Sequence, residues 1–281
     1  MTSSSEQTNQ AAQMAMVRDR FTRTAGVFAD YVLKERVFEA ERLLRLVAPS
    51  GSERALDAAC GPGTMARIFA PHVRWMIGLD LTPAMLERAR REAAERKLEN
   101  FCAIRGNVLR MPFGDETFDL VVTSYSIHHL PDAAAALAEI ARILKRGGKF
   151  GMLDMIVSED QATAKFCNDI EIARDASHTR ALAASEFERL LADSQLRIVR
   201  HEIIEHPRMF DQWMRTAGWK RGDAAYEATR KILEASMRGD RAGLHAKFAE
   251  LSSEGAGAEQ SERRPDIALT HTALYLCAEK Q

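Results

Sequence analysis

No stretch of this 281-residue sequence approaches the roughly 18 consecutive apolar residues needed to cross a bilayer, so no stable membrane insertion is expected. Cysteine is scarce. Cys60, Cys102, Cys167 and Cys277 are scattered without metal-ligand spacing, so no metal site is expected, and they read as reduced thiols, mostly packed as small apolar groups, in a cytoplasmic protein. Neither sign of charge is in excess: 39 Lys and Arg stand against 40 Asp and Glu. That balance argues against a nucleic-acid binder, which needs a basic surface to neutralise phosphates. The segment Met1 to Gln13 is polar and lacks the apolar core of a secretion signal, and residues 1–20 are expected to form a disordered tail. There is no internal repeat, and nothing in the sequence bears on oligomeric state.

What is present is a chain that is 46% hydrophobic, enough for one large domain over residues 21–281. From Val32 to Val47, apolar residues at Leu33, Val37, Ala40, Leu44 and Val47 predict one helix face, stopped by Pro49–Gly51. A strand, Arg54–Ala59, then runs into the glycines of Cys60–Gly63, followed by a helix from Thr64 to Ala70 and a strand from Trp75 to Asp80. Thr82 is a natural N-cap, with Pro83 opening a helix to about Lys97. Strands are predicted at Phe101–Arg105 and Phe118–Thr123. Asp132 then caps an alanine-rich helix closed by Gly147–Gly148, and Phe150–Val157 is a fifth strand. Strands alternating with helices imply crossover units and a doubly wound α/β fold with a mainly parallel sheet.

Beyond Val157 the rhythm changes. A helical stretch surrounds Phe166–Ala176, Ser185 caps a short helix, and Leu196–Ile204 reads as a sixth strand. Glu205–Arg264 is expected to be mostly helical and polar, with a flexible piece at Ser252–Ser261, before a last strand, Ala268–Ala278. This divides the domain into a cofactor-binding core (52–157), substrate-shaping helices and a strand (158–265), and a final strand (266–281).

The stretch Leu56-Asp57-Ala58-Ala59-Cys60-Gly61-Pro62-Gly63-Thr64 ends the first strand, where open α/β sheets bind ligands, and its glycines let a ligand approach the backbone. Asp80, at the end of the second strand, can accept both hydroxyls of a ribose. Gly61-x-Gly63-x-x-Ala66 also fits a dinucleotide fingerprint, so an NAD(P)-dependent oxidoreductase is one reading. Asp57 opposes it, because a carboxylate at the turn's entrance would face a pyrophosphate. S-adenosylmethionine has no phosphate, and its ammonium and sulfonium suit an acid there; Asp57 could otherwise cap the turn. Gly106-Asn107-Val108 follows the third strand, where Asn107 can bond an adenine edge and Val108 can pack on its face. The fourth strand ends in Ser124-Tyr-Ser-Ile-His128-His129-Leu-Pro, at the rim of the sheet.

Five motifs in order carry a resemblance: Asp57-x-x-Cys-Gly-x-Gly-Thr, Gly78-Leu-Asp80, Gly106-Asn-x-x-x-x-Pro-Phe, Phe118-Asp-x-Val-Val and His128-His-Leu-Pro-Asp132. From Phe21 to Val157 the chain resembles the class I S-adenosylmethionine-dependent methyltransferases, and within them the small-molecule branch that includes ubiquinone/menaquinone C-methyltransferases. The resemblance implies a Rossmann-like seven-stranded sheet whose last strand is antiparallel, with a helical insertion near the C-terminus. It implies that Asp57, Ala59, Gly61 and Gly63 hold the methionine part of the cofactor, Asp80 with Leu81 the ribose, Gly106 to Val108 the adenine, and that Ser124 borders the site. An aromatic from the N-terminal segment commonly covers the cofactor in this family, and Tyr31 is the matching position. The adenine position is commonly Asp in the family, and here it is Asn107, whose side-chain oxygen can still accept from the exocyclic amine.

Methyl transfer requires water to be excluded, the acceptor aligned and often a proton removed. His129 and His128 are the best-placed bases, and either could instead cap or pack against the next helix. The segment Glu171-x-x-Arg174-Asp175-x-Ser177-His178 resembles one bordering the substrate cavity in related enzymes. His178 is thus a further candidate base, and Arg174 and Arg180 candidate ligands for an anionic group, or all three belong to a salt-bridged helix end. His206, Trp213 and Trp219 are placed in the inserted helices, either lining the acceptor pocket or packing. The expected activity is methylation at oxygen or carbon of a small organic acceptor, of aromatic or quinone-like type. The alternatives are the oxidoreductase above and a catalytically silent, cofactor-binding partner subunit.

Overall fold

The computed structural model describes residues 4–249 and 264–281. In chain order it contains α1 (Ser4–Glu35), α2 (Val37–Val47), β1 (Arg54–Ala58), α3 (Thr64–Phe69), β2 (Trp75–Asp80), α4 (Pro83–Glu95), β3 (Phe101–Arg105), β4 (Phe118–Ser124), α5 (Ala133–Ile143) and β5 (Leu144–Val157). There follow α6 (Gln161–Arg174), β6 (Leu182–Ala183), α7 (Ala184–Asp193), β7 (Leu196–Met209), α8 (Phe210–Thr216), α9 (Ala224–Ser236), β8 (Lys247–Phe248) and β9 (Ile267–Lys280). None of the described helices is long and apolar enough to cross a membrane.

The main sheet runs β3-β2-β1-β4-β5-β9-β7, with β1 to β5 parallel and β9 antiparallel to both β5 and β7. This is the seven-stranded order with an antiparallel last strand; short β6 and β8 extend it on β5 and β9. The inner strands β1, β2, β4 and β5 are largely buried because helices cover both faces, while the edge strand β3 is only partly covered. Leu56, Val121 and Phe150 pack with Leu137 and Ile140 of α5. Ala55, Leu120 and Val122 point the other way, against Leu43 and Val47 of α2 and Phe69 of α3. The chain reverses its direction of winding between β1 and β4, which opens a crevice at their carboxyl ends.

Several expectations are corrected. The disordered tail over residues 1–20 is instead, from Ser4 on, the front of α1. That helix is held by tertiary contacts more than by its own composition: Met14, Val17 and Val32 are buried, and Gln13 Nε2 donates to the Ser177 carbonyl (2.8 Å) and the Thr179 hydroxyl (3.0 Å). The single helix Val32–Val47 is broken at Arg36 (φ −105°, ψ 13°), and the buried face of α2 is Ala40, Leu43, Leu46 and Val47 with Glu39. Gly147 and Gly148 lie inside β5, since α5 already ends at Ile143. Ser185 is inside α7, where its hydroxyl binds Glu159. The stretch expected to be helical from Glu205 begins as strand, because β7 continues to Met209 in register with Ala268–Thr272 of β9. The piece expected to be flexible, Ser252–Ser261, lies outside the described residues.

Candidate functional site

The loop after β1 is built from residues in left-handed conformation: Ala59 (φ 63°), Gly61 (φ 51°) and Gly63 (φ 90°). A Cβ on Gly63 would lie 3.2 Å from the backbone of Ala89 in α4, so glycine there serves both the turn and close helix packing. The loop is tied to β2 by Cys60 N–H donating to the Leu79 carbonyl at 3.0 Å. Asp80 clamps it as well, accepting from Gly61 N–H (2.9 Å) on one oxygen and from Thr82 N–H (2.8 Å) on the other. Each oxygen keeps lone pairs for a ligand.

Asp57 is the unusual member. Its carboxylate is completely buried, and among the described residues neither of its oxygens has a hydrogen-bond partner; the buried Thr64 hydroxyl has none either. Burial drives its pKa well above the ordinary carboxylate range, and the charge of Asp80 adds to the effect. Burial raises that of Asp80 as well. A buried anion with no donor and no cation is costly, so this spot suits a cationic ligand.

A cavity of about 930 Å³ opens in front of this loop. Of the residues expected at a cofactor, Ala59, Gly61, Asp80, Leu81, Val108 and Ser124 line it, together with Gly106. Asp57 and Gly63 do not line it: Asp57 is fully buried, and Gly63 packs on α4. Asn107 does not line it: its Oδ1 accepts from Leu109 N–H (3.0 Å) in a local turn. Nor does Tyr31, whose hydroxyl accepts from Arg208 Nη1 (3.2 Å). Helical spacing brings Met14, Val17, Phe21, Phe28 and Val32 of α1 over the cavity instead.

A second chamber of about 640 Å³ shares Phe21, Phe28, Arg36, Tyr125 and His129 with the first. His129 donates from Nδ1 to the Ser177 carbonyl (3.0 Å), and among the described residues Nε2 has no hydrogen-bond partner. The Ser177 hydroxyl donates a hydrogen bond to Asp175 (2.7 Å), which pairs with Arg20 at 2.7 Å. Burial, and then the neighbouring His128, hold the His129 pKa well below the ordinary histidine value. His128 binds Asp154 through Nδ1 at 2.5 Å, and Asp154 also accepts from the N–H groups of Ser126, Ile127 and Met155. His178, pushed down to about 4 by burial, donates from Nε2 to Asn168 (2.8 Å). All three histidines face the second chamber, and His129 alone of them faces both.

Glu171, Arg174 and Asp175 also line the second chamber; Arg180 does not, being exposed and paired with Glu186 at 3.0 Å. Trp213 lines it, while Trp219 donates its indole N–H to the Arg174 carbonyl (2.7 Å) and packs. His206 lies on β7 and not in the inserted helices, where it meets Tyr275 (3.1 Å) outside both chambers. Sequence reasoning placed Tyr125 at the rim without a role and missed Phe21, Phe28, Arg36, Arg208 and His271. The α1 residues alone had a readable signal, their helical spacing.

The methyltransferase-domain family model matches residues 56–152. The chain is 32% identical over 202 residues to an uncharacterized methyltransferase of Bacillus subtilis (strain 168), YcgJ, covering 70% of this chain and 78% of that protein. The solved structure of YcgJ aligns with a TM-score of 0.74 at 26% identity, over 87% of this chain and 99% of that one. A demethylmenaquinone methyltransferase of Lactiplantibacillus plantarum is 34% identical over 109 residues, covering 37% of this chain and 46% of that protein. Geranyl diphosphate C-methyltransferase from Streptomyces coelicolor A3(2), solved with Mg2+, geranyl diphosphate and S-adenosyl-L-homocysteine, shares the fold (TM-score 0.59, 17% identity, 88% of this chain and 79% of that one). The chain belongs to the class I S-adenosylmethionine-dependent methyltransferases of small-molecule type. It is an enzyme, and S-adenosylmethionine is its cofactor. The residues present fit that cofactor, because the Asp57 carboxylate, unpartnered among the described residues, suits a ligand that carries an ammonium and a sulfonium. The oxidoreductase alternative finds no support in these relationships.

Proposed function

We propose that the first cavity holds S-adenosylmethionine and that the second takes a small organic acceptor, of aromatic or quinone-like type, methylated at oxygen or carbon. The observation that carries this reading is the wall the two chambers share, formed by Phe21, Phe28, Arg36, Tyr125 and His129. A group in one chamber is there brought against a group in the other, which is what an in-line transfer needs.

When bound, the cofactor supplies a methyl group made electrophilic by its sulfonium. The protein's contributions follow from its own side chains. Asp57 and the loop Ala59–Gly63 accommodate the cationic methionine part, Asp80 with Leu81 takes the ribose hydroxyls, and Gly106 with Val108 forms the slot for the adenine. Phe21 and Phe28 exclude water and give a flat acceptor apolar faces to lie on. His129 is the general base: its Nδ1–H is committed to Ser177, and neutral Nε2 is left to take the acceptor's proton. The demethylmenaquinone methyltransferase among the relatives acts on a quinone, which supports an acceptor of that type here.

The test is calorimetric titration with S-adenosylmethionine, S-adenosylhomocysteine and NADPH in parallel, followed by an acceptor screen of phenols, quinones and polyketide-like compounds. Binding of the first two alone, and methylation of one screened class, is the expected result. Binding of NADPH alone overturns the cofactor assignment. A protein that binds cofactor and methylates none of the panel points to the silent partner subunit.

A further inference from the structure

Building on the reading of the second chamber as the acceptor site, we propose that the acceptor carries a carboxylate held between Arg36 and Arg208. Four guanidiniums line this chamber, Arg20, Arg36, Arg174 and Arg208, against two carboxylates, Glu171 and Asp175. Two of the four are spent. Arg20 holds Asp175 at 2.7 Å and donates to the Thr216 carbonyl at 3.1 Å. Arg174 donates to the Trp213 carbonyl (3.2 Å) and the Thr216 hydroxyl (2.6 Å) and lies 3.4 Å from Glu171, whose other oxygen binds His271 at 2.8 Å.

Arg36 and Arg208 are different. They share one carboxylate, Glu39, at 3.9 Å from each, beyond hydrogen-bond reach. Arg36 Nε and Glu39 Oε2 are both buried without a hydrogen-bond partner among the described residues. The Arg36 guanidinium lies 3.9 Å from the Tyr125 ring centroid, and Arg36 and Arg208 both hydrogen-bond the Tyr31 hydroxyl, which neutralises neither. The side chains of Arg36 and Arg208 are only 16% and 11% exposed, so water solvates them poorly. Burial also keeps the neighbouring His129, His178, His206 and His271 toward the neutral form, so these histidines add little to the charge. Buried cations call for an anion, and a planar guanidinium fork matches a carboxylate. With Glu39 counted, the pair has one positive charge to spare, which suits a monoanionic carboxylate better than a dianionic phosphate. Arg36 lines both chambers, so an acid anchored there has its body against Tyr125 and Phe28, within the wall that also contains His129.

The experiment uses the full chain saturated with S-adenosylhomocysteine and two matched probes, 2-naphthoate and neutral 2-naphthamide, titrated calorimetrically to millimolar concentration. We expect naphthoate to bind at least tenfold more tightly, the preference to vanish in Arg36→Gln/Arg208→Gln, and part of it to return in Arg208→Lys. Arg208 lines the second chamber only, so Arg208→Gln alone, with its S-adenosylhomocysteine affinity kept as the folding control, carries the test if the double variant does not fold. Equal affinity for the two probes, binding of neither, or a preference unchanged in the variants overturns the proposal. Failure of S-adenosylhomocysteine itself to bind wild type refutes the underlying functional reading instead. Naphthamide binding that matches naphthoate and shifts the His129 ring resonances would leave that reading intact while removing the carboxylate.

Discussion

His129 and Ser177 are joined by a hydrogen bond from the imidazole Nδ1 to the serine carbonyl, 3.0 Å long, and this contact makes Nε2 the basic atom of the ring. The Ser177 hydroxyl, bound to Asp175, holds the carbonyl's own loop in place. We therefore expect His129→Ala to lower kcat by about 10²–10⁴ while S-adenosylhomocysteine affinity stays within a few-fold of wild type. Burial lowers the His129 pKa, so the neutral, active form persists to more acidic pH than an ordinary histidine allows. The acid limb of the kcat profile should accordingly fall below pH 6.5, the ordinary histidine value. Steady-state kinetics between pH 5 and 9 check both points, and an unchanged kcat would transfer the role to His178.

Asp57 gives a prediction of opposite sign for stability and binding. Its folded pKa is raised, so the penalty for its charge is absent below the ordinary carboxylate range and grows as pH rises toward the folded pKa. Asp57→Asn should raise the stability of the cofactor-free protein at neutral pH by about 1–3 kcal/mol, or a few degrees in Tm. The same change should weaken cofactor binding at least tenfold. In wild type, a cationic ligand that favours the ionised acid should release a proton, and affinity should rise with pH. Calorimetry in two buffers of different ionisation enthalpy measures this directly.

Asp80→Ala removes the proposed ribose acceptor and also the acceptor for Gly61 N–H. A loss of about 2–4 kcal/mol in S-adenosylmethionine binding is expected, from two buried hydrogen-bonding functions at about 1–2 kcal/mol each. Unchanged affinity in a titration would remove the ribose assignment.

Arg20 and Asp175 form a buried pair, with side chains 7% and 3% exposed. Arg20→Met leaves the Asp175 carboxylate uncompensated and should cost about 3–5 kcal/mol, whereas Arg20→Met/Asp175→Leu should recover much of it. The Asp175 pKa is depressed despite burial, chiefly by Arg20, so the pair's stabilisation is present above the ordinary carboxylate range and lost as pH falls toward the depressed value. Denaturant unfolding of the three proteins at pH 7 and pH 2 tests the cycle.

The parallel core was legible in the sequence because its strands are apolar on both faces and bounded by glycine, proline or a capping acid. Trp75–Asp80 and Phe101–Arg105 were placed to the residue for that reason. The front of α1 was not, because Ser and Gln dominate it and its few apolar residues become meaningful only when the rim of the sheet is there to receive them. The end of β7 was hidden by Pro207, a residue that argues against a central strand. β7 is the edge of the sheet, where the missing N–H costs nothing. The cofactor loop was readable as a local motif. Arg36 and Arg208 come from the α1–α2 junction and β7, far apart in sequence, and no local pattern connects them.

β9 lies between β5 and β7, although among the described strands it comes last in the chain. Until the chain beyond residue 267 has emerged, β7 has no neighbour, and both edges of the gap expose unpaired backbone. The nascent protein can therefore assemble its parallel half during synthesis, but closure of the sheet, and with it the wall containing His271, Thr272 and Ala273, waits until β9 has emerged.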